Sequence, residues 1–350
     1  MGASVWGPGS STPVDVASVV YYERLASTHA SDAAASASSA SASETAAALS
    51  AASAAANEAI VSAISTGIFQ LALRNRVVNG ALAIDQRNSG ASQTFTAAAA
   101  IAYCIDRWYG YCTGANCTGQ RVAGTAPDQY KYRFTGAASV TAINFGQRIK
   151  AADVYDLAST TVILSVKLAN SLLTTVTWKA FYANAADDFT AKTLITSGTF
   201  TVDTSLTRYS TAIALPASVT NGLCIEFSVG AQTSGTWDIA EAQLEAGAYI
   251  STFERRPNSL ELGLCKHYYQ KVIFSGRSYA PASWTYGFVI TFPEMRATPT
   301  ATTMTAGTAS NVSSPTCTPN SAYSAYLQWI STAAGDSWIF DRIYSLSAEL

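Results

Sequence analysis

The chain has 350 residues, with 21 basic and 23 acidic side chains and a formal net charge of −2. Charged residues are only 13% of the composition, so no basic field exists to hold nucleic acid or an anionic membrane surface, and neither is expected as a partner. Abundant Thr, Ser, Ala and Gly match a β-rich extracellular or particle-borne protein better than a metabolic enzyme.

Residues 1–28 open with Gly7, Pro8 and Gly9 and lack the basic and apolar regions of a secretory signal. Val19, Val20, Tyr21 and Tyr22 need a surface to bury against, so a docking segment is expected over 1–28. From Ala33 to Ala56 every residue except Glu44, Thr45 and Leu49 is Ala or Ser. Such a stretch has helix propensity but no side chains with which to build a core of its own. A stripe spaced 4 and 3 runs through Asp32, Ala35, Ser39, Ala42, Ala46, Leu49, Ser53, Ala56, Ile60 and Ala63. It predicts a slender coiled-coil stalk over 29–66, stable only when bundled with copies of itself. The same composition also permits a disordered linker. Gly67 fits a helix C-cap, and 67–76 is expected to be a linker. The least polar window, Thr45 to Ile64, carries Asn57, Glu58 and several serines, so no membrane insertion is expected.

From Asn79 the texture changes to Thr/Val/Ile/Tyr runs separated by Gly, Asn, Asp and Pro. The runs Tyr130–Phe134, Thr161–Leu168, Thr175–Tyr182, Thr199–Asp203, Leu223–Val229 and Thr236–Ala240 predict strands of an antiparallel β-sandwich over 77–256. A second β-rich block over 257–350 contains Trp284–Pro293 and Ser337–Tyr344 and is expected to form a small C-terminal β-knob. The six cysteines form no CxxC pair and have no His-rich partner, so free thiols are expected and no metal site is.

Several phrases together resemble phage tail-fibre proteins. Asn75-Arg76-Val77-Val78-Asn79-Gly80 followed by Asp85-Gln86-Arg87-Asn88 is similar to the "NxxxNGxFxxxQRG" start of a fibre domain related to carbohydrate-binding jelly rolls, with Leu82 for Phe and Asn88 for Gly. Cys104-Ile105-Asp106-Arg107-Trp108 resembles "ADRW", and Leu206-Thr207-Arg208-Tyr209-Ser210 resembles "WxRYS". The close, Gln243-Leu244-Glu245-Ala246-Gly247 with Ser251-Thr252-Phe253-Glu254-Arg255-Arg256, is similar to "QLExGxxxTxFExR". Glu261-Leu262-Gly263-Leu264-Cys265-Lys266-His267-Tyr268-Tyr269-Gln270 resembles "ELxLCxRYYQ", and Phe292–Pro299 resembles "FPxxMRxxP". The resemblance covers about Asn75 to Pro299. It implies a mainly β, homotrimeric fibre with a jelly-roll domain, carried in the tail of a virion and made in the host cytoplasm. Residues 1–28 would then dock to tail or baseplate proteins, and a host-surface polysaccharide would be the target.

Asp106, Arg107, Glu245, Glu254, Arg255 and Arg256 are a large share of a sparse charge inventory and are expected to pair at the junction of the two β blocks. Nucleophilic catalysis needs a base in reach of the nucleophile, and the only histidines are His29 and His267, so catalysis is not expected. No cofactor is expected either. Asp187-Asp188 reads as a solvated loop, with a contribution to a Ca²⁺ site in the jelly roll as the alternative. Sugars present hydroxyl rims and apolar C–H faces, which aromatic rings beside amides suit. One candidate group is Trp108, Tyr109 and Tyr111, with Asn116 and Gln120, in a Gly-rich loop. The other is Trp284, Tyr286, Tyr323, Tyr326, Trp329 and Trp338 in the terminal block. The expected function is attachment to a host glycan, with a polysaccharide-cleaving spike or a purely structural connector as rivals.

Overall fold

The protein is seen in a computed structural model that describes residues 16–67, 73–98 and 100–350. Residues 1–15 of the expected docking segment and 68–72 of the expected linker lie outside them. The chain divides into two compact units, Met1–Ile68 and Phe69–Leu350.

In the first unit a single helix, α1, runs over Val16–Gly67. Its 52 residues span about 78 Å at the α-helical rise, and residues 16–28 belong to the same helix as the Ala/Ser stretch. Tyr21, Tyr22, Leu49, Ile60 and Val61 are all exposed. The hydroxyls of Thr28, Ser39, Ser43 and Thr45 donate to carbonyls one turn back, at 2.9–3.0 Å. Ser39, on the heptad stripe, therefore satisfies its own polar group and can enter a helix interface at little cost. Among the described residues no helix is long and apolar enough to cross a membrane.

The second unit is built almost wholly of antiparallel strands. In chain order they are β1 Gln93–Phe95, β2 Ala102–Ile105, β3 Trp108–Thr113, β4 Cys117–Ala123, β5 Tyr130–Thr135, β6 Ala142–Ile149, β7 Thr161–Asn170, β8 Thr175–Ala185, β9 Asp188–Thr201, β10 Thr207–Ala214, β11 Leu223–Val229 and β12 Thr236–Ala246. They form two six-stranded sheets, β1-β4-β5-β12-β7-β10 and β2-β3-β6-β11-β8-β9. Within these, β5 to β12 follow the orders β5-β12-β7-β10 and β6-β11-β8-β9. The first strand lies beside the last and, except for the β8–β9 hairpin, successive strands cross between sheets, which is jelly-roll order. Alternation explains the register: Leu223, Ile225, Phe227 and Val229 of β11 enter the core, while Cys224, Glu226 and Ser228 take the outer face. Trp108 stacks on Phe145 at 4.6 Å inside this core, beside Tyr132, Phe134 and Trp237. All six cysteines are free thiols.

A short helix, α2 (Ala151–Val154), follows β6, and α3 (Asn258–Lys266) leads out of the sandwich. Seven further strands follow: β13 Tyr269–Ala280, β14 Thr285–Thr291, β15 Thr300–Thr305, β16 Thr308–Ser310, β17 Val312–Ser321, β18 Ser324–Ser331 and β19 Gly335–Ser347. One sheet is β13-β19-β15 with β16 also on β19, and the other is β14-β18-β17. Phe274, Leu327, Trp329, Ile339 and Tyr344 fill the space between them.

Candidate functional site

Motif residues of 75–80, 105–107 and 243–270 meet at the junction between the jelly roll and the terminal sheets, whereas Thr207–Ser210 lie on the edge strand β10. Asn75 Oδ1 accepts from the amides of Val77 (2.9 Å) and Leu244 (3.0 Å), while its Nδ2 donates to the Ala242 carbonyl (3.1 Å). Gly80 is required here because the Ala242 backbone occupies the place of a Cβ. Asn79 holds a left-handed backbone (φ 57°), donates its amide to Glu261 and accepts the Trp108 indole N–H at 3.0 Å. Its side chain donates to the carbonyls of Ile84 and Asp106. Across the junction, Gln243 Oε1 accepts the Glu254 amide at 2.7 Å and Glu245 accepts from both the amide and the hydroxyl of Ser251. Glu254 closes the ring by accepting the amides of Leu73 and Asn75. Residues 73–76 are therefore pinned to the sandwich.

Of the six charges expected at the junction, Arg107 and Arg256 pair across the two β blocks, with Glu349 and Glu261, while Asp106, Glu245, Glu254 and Arg255 meet their charged partners within residues 74–256. Arg256, 6% exposed at its side chain, donates to the carbonyls of Asn75 and Val77 and pairs with Glu261 (3.4 Å) and Glu254 (3.8 Å). Arg255, 43% exposed, pairs with Glu241 and, at 3.5 Å, with Asp128. Glu245 also lies 3.4 Å from Arg74. Arg107 is buried with its guanidinium 3.4 Å over the Tyr268 ring and pairs with Glu349, which also takes Arg87 at 2.8 Å. Asp106 accepts the Gln86 side-chain amide at 2.8 Å with one oxygen, while the other has only Arg87, at 3.9 Å. Burial pushes its carboxyl up to about 7.

The expected aromatic candidates separate into core and surface. Trp108 and Tyr109 are buried on β3, where a loop was expected, and Tyr111 of the same strand is half-buried. Gly110 and Gly119 are strand residues whose missing Cβ atoms make room for the rings of Phe95, Phe134 and Tyr132. On the outer face of β3, Tyr109 and Tyr111 both donate to Glu226, at 3.1 and 3.2 Å, and Lys192 meets the same carboxylate at 3.1 Å. Burial, reinforced by Glu226, raises both phenols, so their protons stay in these bonds. Trp329 and Tyr286 stack at 5.4 Å within the terminal core.

Tyr326, Trp284 and Tyr323 face solvent. The outward row of β18 is Ser324, Tyr326, Gln328 and Ile330. Its neighbours are Thr291, Val289, Gly287 and Thr285 of β14 on one side and Thr318 and Thr316 of β17 on the other. A Cβ on Gly287 would collide with the Tyr326 ring, so the glycine lets that ring lie along the sheet. Trp284 (57% exposed) precedes β14, and Tyr323 (58%) is at the β17–β18 turn. Trp338 lies on the outer face of the other sheet, stacked on Phe340 at 5.0 Å and paired in register with Arg277 and Ser310. Sequence reasoning had not singled out Gly287 or Glu349. Gly287 could have been found by its place between Tyr286 and Phe288 in an alternating strand, whereas Glu349 leaves no local signal.

No protein-family model and no curated protein matches the chain. Among solved structures it is similar to one described as "CBM4 structure and function", at 14% identity over 48% of this chain and 98% of that one, with a TM-score of 0.32. It is also similar to the enzymatically active domain of tailspike protein 4 of bacteriophage CBA120, at 14% identity over 50% of this chain and 22% of that one, TM-score 0.33. The CBM22-2 xylan-binding domain of Xyn10C from Paenibacillus barcinonensis is similar at 14% identity over 41% and 93%, TM-score 0.30. The jelly-roll assignment itself rests on the strand order.

Proposed function

We propose that the chain is a homotrimeric tail-fibre protein that attaches a virion to a host-surface polysaccharide without cleaving it. Residues 1–28 would dock to the tail or baseplate, α1 would bundle as the stalk, and the jelly roll would carry the terminal sheets as the receptor-contacting knob. The observation that carries this reading is the outer face of β14-β18-β17. There an aromatic ring lies along the strands within a field of Thr, Ser and Gln side chains, and Trp284 and Tyr323 are exposed nearby. A pyranose matches such a surface, stacking its C–H face on the ring while its hydroxyls exchange hydrogen bonds with the rim. Weak single contacts would add through three chains and several fibres. The motif resemblance and the exposed sides of α1, which alone lacks apolar area to bury, support the fibre reading.

Incubating the full chain with purified host polysaccharide tests it. Retention of polysaccharide without fragments is expected. Fragments would make the protein a cleaving spike, and neither retention nor fragments would make it a connector.

A further inference from the structure

A cleft of about 330 Å³ lies within the second unit, between the jelly roll and α3. Lys150, Asp153, His267 and Glu294 supply its polar side chains, and Val78 and Leu264 its apolar wall. The His267 Nδ1–H donates to the Glu294 carbonyl at 3.2 Å, since a carbonyl can only accept. Its Nε2 therefore accepts from the Lys150 ammonium, at 3.4 Å, and burial together with Lys150 holds the imidazole neutral. Lys150 also lies 3.6 Å from Asp153. An ammonium donor beside a carboxylate acceptor, with further ammonium protons free, is the arrangement that adjacent hydroxyls require, one accepting and one donating.

Gly263 gives an independent sign. It sits in the interior of α3, where glycine costs helix stability, yet a Cβ there would meet nothing within 4 Å. Packing within the chain does not demand the glycine, and the position opens onto unoccupied space where it lines the cleft. We propose that this cleft is a subsite for a single neutral sugar residue, a proposal that rests on the glycan-binding reading above. Among the lining side chains one ammonium, of Lys150, stands against the carboxyl groups of Asp153 and Glu294, a formal balance that favours a neutral sugar over uronic and other acidic ones.

Saturation-transfer NMR on the full chain tests this with methyl glucoside, methyl galactoside, N-acetylglucosamine and glucuronate as probes. At least one neutral sugar should give a signal and glucuronate none. Gly263→Leu, which adds a bulky side chain to the cleft lining, and Lys150→Met should each weaken that binding about tenfold. Gly263→Leu should melt no lower than the parent, because leucine favours the helix. Both cleft variants are compared in a Trp284→Ala/Tyr326→Ala background, so that sugar stacking on the outer face of β14-β18-β17 does not contribute to the signal. A neutral-sugar signal untouched by both cleft variants, the lack of any such signal, or a dominant glucuronate signal overturns the subsite. Polysaccharide retention by the parent protein, measured in parallel, separates the two readings. Retention without a cleft effect overturns the subsite alone, and loss of retention overturns both.

Discussion

Removing Arg256 should destabilise the second unit far more than removing its neighbour Arg255. The Arg256 side chain is 6% exposed and serves two carbonyls, Asn75 and Val77, as well as Glu254 and Glu261. Deleting one partner of a buried ion pair costs about 3–5 kcal/mol because the other charge stays buried without compensation. Burial already raises the Glu261 carboxyl above its ordinary range, so it can take up a proton and soften the loss, which places Arg256→Ala at about 3 kcal/mol. At roughly 2–4 °C per kcal/mol for a large domain, the melting temperature should fall by about 6–12 °C. Arg255 is 43% exposed, so solvent screens its pairs with Glu241 and Asp128, and Arg255→Ala should cost under about 1 kcal/mol. Scanning calorimetry of both variants in low salt and in about 1 M salt checks this, since salt should erase the Arg255 effect and spare that of Arg256. Equal shifts in the two variants would refute the assignment of burial as the cause.

Asp106→Asn should melt higher than the parent at pH 8. The folded carboxyl keeps its proton to about pH 7 while the unfolded one loses it near 4, so the parent's contribution from this group is full below about pH 4 and is lost as pH rises to 7. Melting curves from pH 4 to 8 should show that decline in the parent and not in the variant. Gly287→Val should displace the Tyr326 ring and weaken polysaccharide retention about tenfold, with melting little changed because the site faces solvent. Light scattering should give about 110 kDa, three times 36.7 kDa. Leu49→Asp or Ile60→Asp should lower that mass while the β-sheet circular dichroism persists.

Alternation made much of the fold legible. Leu223–Val229 was read as a strand with its bounds intact, and Thr161–Leu168 and Thr175–Tyr182 fall within β7 and β8. Of β9 only Thr199–Thr201 falls in the expected run Thr199–Asp203; the stretch from Asp188 to Gly198 is not legible, because Lys192, Thr193 and Leu194 lie on an edge strand with little apolar contrast between its faces. Gly110, Gly114 and Gly119 read as a loop, although two of them are strand positions that accommodate rings from other strands, a tertiary fact. Trp329 and Tyr326 look alike in composition, and only the register of β18 sends one inward and the other out. The link from Arg107 to Glu349 joins residues 242 apart, and no local pattern encodes it.

Both ends of the terminal sheets are tied back to the jelly roll. At the entry, Arg256 and Glu261 bind residues 75–79. At the exit, Glu349 joins Arg87 and Arg107, and the Leu350 oxygen accepts from Arg148 and Tyr103. Tension on the outer face of β14-β18-β17 would thus be shared by two anchorages loaded in parallel, instead of passing through one strand of polypeptide. A detaching pull must shear both ion-pair groups nearly together before the terminal sheets can peel away. Resistance to such a pull should therefore weaken markedly when either anchorage is cut, even with the exposed Trp284 and Tyr326 untouched.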